Sequence, residues 1–260
     1  MCKISIIMAT YNCDDVIERA IKSIMTQTYT DYEVVIVDGN SKDDTLKIVT
    51  KYAALNKKIN YYSSPDNGIY DALNKGVKIA RGKYILVMGS DDELINNEIL
   101  ERVADELDND VDFFSAPVMS VLREYRLMTL FSNRNAVILP HQGVFVKRKI
   151  LLNRPFDTSL RVSADSDFII YCLKNDSFHK KFVDYPVMYY SLGGESSLNK
   201  DVLVDWKIIC GKYNIERSHV PFFKQNNPSI IRRWVKKILQ RSGAYRKTML
   251  LTGRWQPYKD

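Results

Sequence analysis

The chain has 260 residues, 45% of them hydrophobic and 27% charged, with 11 Gly, 8 Pro and 4 Cys; at roughly 150 residues per domain this is one large domain or one domain with an appendage, and disordered or collagen-like chains are excluded. Cys2, Cys13, Cys172 and Cys210 form no CxxC pair, so neither a zinc site nor a disulfide framework is indicated, and a reducing compartment fits. The formal charge of +7 belongs to the tail: residues 207–260 carry 13 Lys/Arg and 2 Asp/Glu, a net of +11, against −4 for the remainder, which speaks against a uniformly basic nucleic-acid binder and for an acidic body with a basic attachment.

The apolar run Ile4–Ala9 is too short for a signal peptide and is followed by Asn12, Asp14 and Asp15. It reads instead as a first strand. Apolar residues at 16, 17, 20, 21, 24 and 25 predict a helix between Asp14 and Thr28. Val34–Val37 is a second strand, ended by Asp38-Gly39-Asn40-Ser41, and 42–55 a helix. Ile59–Ser63 is a strand and Ile69–Ala80 a helix. Lys83–Met88 is the fourth strand, ended by Gly89-Ser90-Asp91-Asp92; a helix at Asn96–Leu107 and a strand at Val111–Ser115 follow. Strands two and four are continuously apolar, the pattern of a parallel sheet covered by helices on both faces. In such sheets ligands bind at the carboxyl ends of the strands, where each of these polar clusters falls.

Residues 117–195 give a mixed signal: a hairpin over Val118–Phe131, a strand at Gly143–Val146, a helix starting at Asp165, and a run from Val183 to Tyr190 interrupted by Pro186. No stretch of 18 apolar residues occurs, so no membrane-spanning helix is expected. In the tail, Ser229–Arg241 sets Ile230, Ile231, Trp234, Val235, Ile238 and Leu239 against Arg232, Arg233, Lys236, Lys237 and Arg241. That is a basic amphipathic helix suited to a membrane interface, or one packed on the body with a solvated basic face.

No GxGxxG, P-loop, GxSxG or HExxH is present, and His141, His179 and His219 lack ligand spacing. What remains are carboxylates: Asp38, Asp66, Asp71, Asp91, Asp92, Asp165 and Asp167. Asp91 and Asp92, adjacent just past a buried strand, suit a divalent cation with a substrate diphosphate, or serve as caps for the following helix. Turn chemistry alone also accounts for Asp38.

The ordered set SIIMATYN (5–12), VVIVDGNSKDDT (34–45), PDNGIYDALNKGVKIARGKYILVMGSDD (65–92), PHQGVFV (140–146), ADSDF (164–168) and GGESS (193–197) resembles the family 2 glycosyltransferases of the GT-A fold. Within that family it is most similar to bacterial members that build O-antigen, capsule and exopolysaccharide. The resemblance implies an α/β fold: a mostly parallel central sheet with a Rossmann-like nucleotide-binding half, flanked by helices, plus a C-terminal basic helical appendage. It implies a catalytic domain over 1–215, with a donor half at 1–115 and an acceptor half at 116–215, and the appendage at 216–260.

Residue by residue, it implies that Thr10, Tyr11 and Asn12 line the nucleotide pocket and that Asp38 pairs with the base. Asp66, Asn67 and Gly68, with Asp71, Asn74 and Lys75, would close over the nucleotide. Ser90, Asp91 and Asp92 stand in the family's DXD region, holding ribose and Mn²⁺ or Mg²⁺. Asp165 matches the catalytic base, with His141, Gln142 and Asp167 near donor sugar or acceptor, and Gly193, Gly194 and Glu195 in a neighbouring loop. Two departures stand out: Gly89 holds the first place of the family's Asp-x-Asp-Asp, and Ala164 precedes Asp165 where many members have Glu.

The implied reaction is inverting transfer of a hexose (glucose, galactose or an N-acetyl form) from a nucleotide sugar, UDP-linked by family habit, to a polyprenyl-diphosphate-linked saccharide. Arg232, Arg233, Trp234, Lys236 and Lys237 would hold the enzyme on the inner face of the bacterial cell membrane. Two other readings compete: a sugar nucleotidyltransferase, which would need a Gly-rich basic loop where ATYNCDD stands, and a non-enzymatic basic membrane-binding protein, which would leave the acidic strand ends unexplained.

Overall fold

The computed structural model describes residues 2–108, 110–121, 130–131, 139–191 and 201–216. A seven-stranded sheet forms its centre. β1 (Ile4–Thr10), β2 (Tyr32–Asp38), β3 (Ile59–Ser63) and β4 (Tyr84–Val87) run parallel, in the order β4-β1-β2-β3. β9 (Val144–Lys147) lies antiparallel between β4 and β6 (Phe113–Ser115), and β10 (Lys180–Phe182) closes the edge parallel to β6. A second, four-stranded sheet holds β5 (Glu93–Leu94), β7 (Val118–Val121), β8 (Leu130–Phe131) and β11 (Met188–Ser191), in the order β5-β11-β7-β8.

The continuous apolar runs do what two-sided burial requires. Ile4, Ile6 and Met8 of β1 and Val34 and Ile36 of β2 face one core, with Ile17, Ala20, Ile21 and Ile24 of α1 (Ile17–Met25) and Val49 of α2 (Thr45–Leu55). Leu100 and Val103 of α4 (Ile99–Glu106) complete that face. Ile7, Val35 and Val37 face the other core, against Tyr70, Leu73 and Val77 of α3 (Ile69–Ile79). Behind them lie α5 (Arg148–Asn153), α6 (Ala164–Lys174) and α7 (Asp201–Tyr213). Alternate strand residues thus feed two helical layers, each buried Ile, Leu or Val adding roughly 1.5–3 kcal/mol.

The α/β expectation holds, and β9 is the antiparallel strand in the mostly parallel sheet. Three helices are shorter than the sequence predicts, among them α2, which starts at Thr45 rather than Lys42. α1 starts at Ile17 because 13–16 form a turn, with the Ile17 amide donating to the Cys13 carbonyl. α4 starts at Ile99 because Gln27 holds the incoming chain, donating to the Asn96 carbonyl and accepting from the Leu100 amide. The hairpin pairs as expected, β7 antiparallel to β8. Helices α5 and α7 and strands β5 and β10 have no counterpart in the sequence reading. Among the described residues no helix is long and apolar enough to cross a membrane.

Candidate active site

Parallel register brings the carboxyl ends of the first strands together. Thr10 is paired in register with Asp38, and Asp38 with Ser63. Asp38 is fully buried and accepts from the Thr10 hydroxyl, from the amide and hydroxyl of Ser41, and from the Ser63 hydroxyl. Its charge is thereby spent on fixing three loop mouths. Beyond it, Tyr11 is 63% exposed and Asn12 takes a left-handed backbone (φ 46°). Asn12 receives the Lys42 amide at 2.8 Å, while its own amide donates to Ser41.

A β-carbon on Gly39 would sit 2.6 Å from Oδ2 of Asp66. The Asp66 carboxylate therefore lies directly over the turn that Asp38 anchors. Asp66 also takes the Gly68 amide at 2.9 Å, Asp71 takes the Asn67 amide at 3.0 Å, and Lys75 spans Asp71 and the Pro65 carbonyl. Residues 65–75 are thus a self-braced rim. Asn74 stands apart from it, clamping the Phe156 backbone through both ends of its amide.

After β4, Ser90 lies beside the Cys13 thiol. Asp92 is buried, receives the Gly89 amide at 2.9 Å and lies 3.4 Å from the Ser191 amide, while the Ser191 hydroxyl donates to the Asp91 carbonyl. Burial, then the neighbouring Asp91 charge, pushes the Asp92 carboxyl up to about 7. Gly89 explains how two carboxylates fit there: a β-carbon at 89 would lie 2.8 Å from Asp92 Oδ2 and 3.0 Å from Asp91 Oδ1. An acidic side chain in the first place of this motif would displace both.

Asp165 in the first turn of α6 meets Nδ1 of His141 at 2.6 Å and receives the Tyr70 hydroxyl at 2.9 Å. The side chains of Asp165 and His141 are 18% and 31% exposed. Burial raises the Asp165 carboxyl, but the His141 charge and hydrogen bond and the Tyr70 hydroxyl outweigh it and hold it below the usual carboxylate range. Burial lowers His141, but Asp165, with Asp92 and Asp91 behind it, raises it above an ordinary imidazole. Gln142 is buried in the same turn. Asp167 is elsewhere: it is fully buried against Arg154 and Lys212. Gly193, Gly194 and Glu195, and Arg232, Arg233, Trp234, Lys236 and Lys237, lie outside the described residues.

Sequence reasoning missed Ser41, Ser63, Tyr70 and Ser191, whose parts depend on contacts 3 to 100 positions away along the chain. Two of them left a signal: Ser41 closes the polar cluster after the second strand, and Tyr70 sits between quoted polar residues at the start of a helix.

The model of "Glycosyl transferase family 2" matches residues 5–169. A "PGL/p-HBAD biosynthesis glycosyltransferase" of Mycobacterium tuberculosis is 33% identical over 204 residues, covering 74% of this chain and 78% of the relative. Chondroitin synthase of Escherichia coli is 30% identical over 178 residues, covering 64% of this chain and 26% of that one. Among solved structures, residues 1–349 of S. aureus TarS in complex with UDP-GlcNAc superpose with a TM-score of 0.65 at 24% identity, over 84% of this chain and 69% of that one. The Pyrobaculum calidifontis mannosyltransferase PcManGT, in complex with GDP-Man and Mn²⁺, gives 0.67 at 16% identity, over 97% and 79%.

Proposed function

This chain belongs to glycosyl transferase family 2, and from that membership we propose that it transfers a hexose, as glucose, galactose or an N-acetyl form, from a UDP-sugar to a lipid-linked saccharide with inversion at the anomeric carbon. The proposed setting is bacterial surface polysaccharide synthesis (O-antigen or capsule) on the inner face of the cell membrane, with residues 1–215 catalytic and 216–260 as the attachment. The observation that carries the reading is a convergence. Strand-end residues that could receive a nucleotide (Thr10, Tyr11, Asp66) and an acidic pair that could face a diphosphate (Asp91, Asp92) stand beyond the ends of β1 to β4, and the charges of Asp91 and Asp92 act on His141, which pairs with Asp165.

Asp38 braces the base end of this pocket, and Tyr11 offers an exposed ring on which a base can stack. Among the described residues no group of three metal-ligating side chains occurs. Asp91 and Asp92 nonetheless fit a hard divalent ion: both are oxygen donors, and the burial and, after it, the Asp91 charge that raise the Asp92 carboxyl are what a cation offsets. These two residues would hold Mn²⁺ or Mg²⁺ together with diphosphate oxygens, and when bound it supplies neutralisation of the leaving group's charge. The protein's own groups do the rest: the rim at 65–75 positions the nucleotide, and the Asp165–His141 pair receives the acceptor's proton as its oxygen attacks. One displacement inverts the centre, so no second nucleophilic carboxylate is called for.

Thermal unfolding in the presence of UDP-, GDP- and dTDP-sugars, each with and without Mn²⁺, tests the donor half. A ligand at about 100 times its Kd stabilises by about 2.7 kcal/mol. A shift with UDP-sugars that grows with Mn²⁺ is expected; a shift confined to GDP- or dTDP-sugars would replace the proposed donor, and no shift with any would remove it.

A further inference from the structure

We propose that Tyr70 is a positioning residue for Asp165: its hydroxyl sets the plane of the carboxylate that receives the acceptor's proton, and its place on α3 ties that carboxylate to the rim at 65–75. The inference deepens the sugar-transfer reading above and rests on it. Tyr70 belongs to the same apolar core as Leu73 and Val77 of its helix and is 6% exposed. Phenylalanine would fill that space with no polar atom to satisfy, whereas a buried hydroxyl needs a partner. Tyr70 donates to Oδ1 of Asp165 at 2.9 Å.

The other oxygen, Oδ2, meets Nδ1 of His141 at 2.6 Å. A partner on each oxygen fixes the plane of a carboxylate. An ionised carboxylate has about four lone-pair sites, so a place for the incoming proton remains. The backbone beneath is held separately. Asp205 of α7 accepts the Val162 and Ser163 amides just before α6 begins. The Tyr70 oxygen lies beside the backbone of Ala164 and Asp165, where a helix start leaves amides without intrahelical partners. On that fixed backbone, what Tyr70 adds is the rotation of the Asp165 side chain.

Tyr70 is itself clamped. Its ring meets Phe156 at 5.7 Å, and Phe156 meets Phe168, three residues beyond Asp165 on α6, at 5.4 Å. Asn74, four residues beyond Tyr70 on α3, holds the Phe156 amide and carbonyl. Helices α3 and α6 are thereby joined twice, by Tyr70 with Asp165 and by Asn74 through Phe156 to Phe168. The same first turn of α3 carries the rim: Gly68 precedes the helix, and Asp71 takes the Asn67 amide. One helix holds both the proposed nucleotide rim and the donor that aims the base.

In the transfer, the acceptor O–H proton passes to Asp165 while the oxygen's electron pair forms the bond to the anomeric carbon. The bond from that carbon to the diphosphate oxygen breaks, its electron pair leaves with the nucleoside diphosphate, and Asp165 later returns the proton to water. Tyr70 keeps its own proton, since burial and then the Asp165 charge hold its hydroxyl well above an ordinary phenol. Losing this donor would make Asp165 a somewhat stronger base. That gain is small beside the cost of misaiming it, about 10²-fold for a displacement of about 1 Å.

The test follows UDP release by the full chain from UDP-glucose, UDP-galactose and UDP-GlcNAc with Mn²⁺, using octyl glucoside as acceptor. Wild-type enzyme that turns over none of the three overturns the sugar-transfer reading and this inference with it. Given turnover, Tyr70→Phe, which keeps the ring and its packing, is expected to lose roughly 10–100-fold in kcat, with the donor KM and the thermal shift by UDP-sugar close to wild type. Asp165→Asn is expected to lose roughly 10²–10⁴-fold. In the doubly substituted chain the further loss from Tyr70→Phe is expected to vanish, because Tyr70 acts through the carboxylate. A residue that only packs would cost the same factor in either background. A Tyr70→Phe enzyme within about twofold of wild type in kcat, a loss that falls on the donor KM instead, or an equal loss in both backgrounds would overturn the positioning role and leave the sugar-transfer reading standing. Asp165→Asn at the wild-type rate would remove the base, and the role of Tyr70 with it.

Discussion

Asp165 and Asp167 stand two residues apart on α6 and belong to different parts of the molecule. Asp165 meets His141 at 2.6 Å, while Asp167 is fully buried, 2.6 Å from Arg154 and 2.9 Å from Lys212. Residues i and i+2 of a helix do not share a face, so one carboxylate turns to His141 and the other ties α6 to α7 and to the loop after α5. Tyr213 joins that tie, its hydroxyl donating to the Asp167 carbonyl and accepting from Arg154.

Removing Arg154 should therefore cost stability rather than chemistry. The remaining partner, Lys212, is 41% exposed and cannot shield Asp167 alone. Arg154→Ala is expected to lower the unfolding free energy by about 3–5 kcal/mol, the range for stripping one partner from a buried pair. Urea denaturation at neutral pH measures it, and a loss below about 1 kcal/mol would mean that Asp167 is solvated or neutral.

Gly89 makes a different prediction. Here a methyl group meets the two carboxylates themselves, at 2.8 and 3.0 Å from the nearest oxygens. Gly89→Ala is expected to leave the unfolding midpoint close to wild type but to weaken Mn²⁺-dependent donor binding by about tenfold, or ~1.4 kcal/mol. Calorimetric titration with a UDP-sugar separates the two effects. Unchanged donor affinity would show that Asp91 and Asp92 do not hold the diphosphate end.

Asp112 carries the pH dependence that can be signed. Burial raises its carboxyl, but the Lys147 ammonium at 2.8 Å and the His179 amide at 3.1 Å outweigh that and hold it below the usual range. A depressed carboxylate adds stability above its unfolded pKa near 3.9 and loses it as pH falls through the folded value. Asp112→Asn is thus expected to be less stable than wild type at pH 7, with Lys147 left buried, and the gap should close toward pH 3. A gap that is constant between these pH values would assign the pair no net electrostatic role.

The strands and their acidic ends were legible because continuous apolar runs and polar turn clusters are local features. The bracing of Asp38 was legible only at Ser41, three residues on in the same turn; Thr10 and Ser63 lie on the flanking strands, and only the parallel register makes them its neighbours. The same holds for the Tyr70–Asp165–His141 chain, whose members are separated by 95 positions at one link. Helix α7 escaped notice because its stripe is weak: Leu203, Val204 and Ile208 are exposed while Asp205 is buried, accepting the Val162 and Ser163 amides.

The basic segment at 229–241 yields the last prediction. Its pattern sets six apolar residues, Trp234 among them, against five Lys/Arg. Near an anionic surface each such charge contributes about 1 kcal/mol. Replacing Arg232, Arg233, Lys236 and Lys237 by Gln in the full chain should therefore weaken binding to phosphatidylserine-containing vesicles by about 4 kcal/mol, or roughly 10³-fold. Wild-type binding should also fall steeply as salt shortens the screening length, and be weak on pure phosphatidylcholine. Thermal shifts with UDP-sugars should be the same in both proteins, because the proposed donor residues lie within 10–92, away in sequence from the substituted segment. Co-sedimentation measures the partition directly. Equal binding by the two chains would leave the basic face with no role at a membrane and favour its packing on the body.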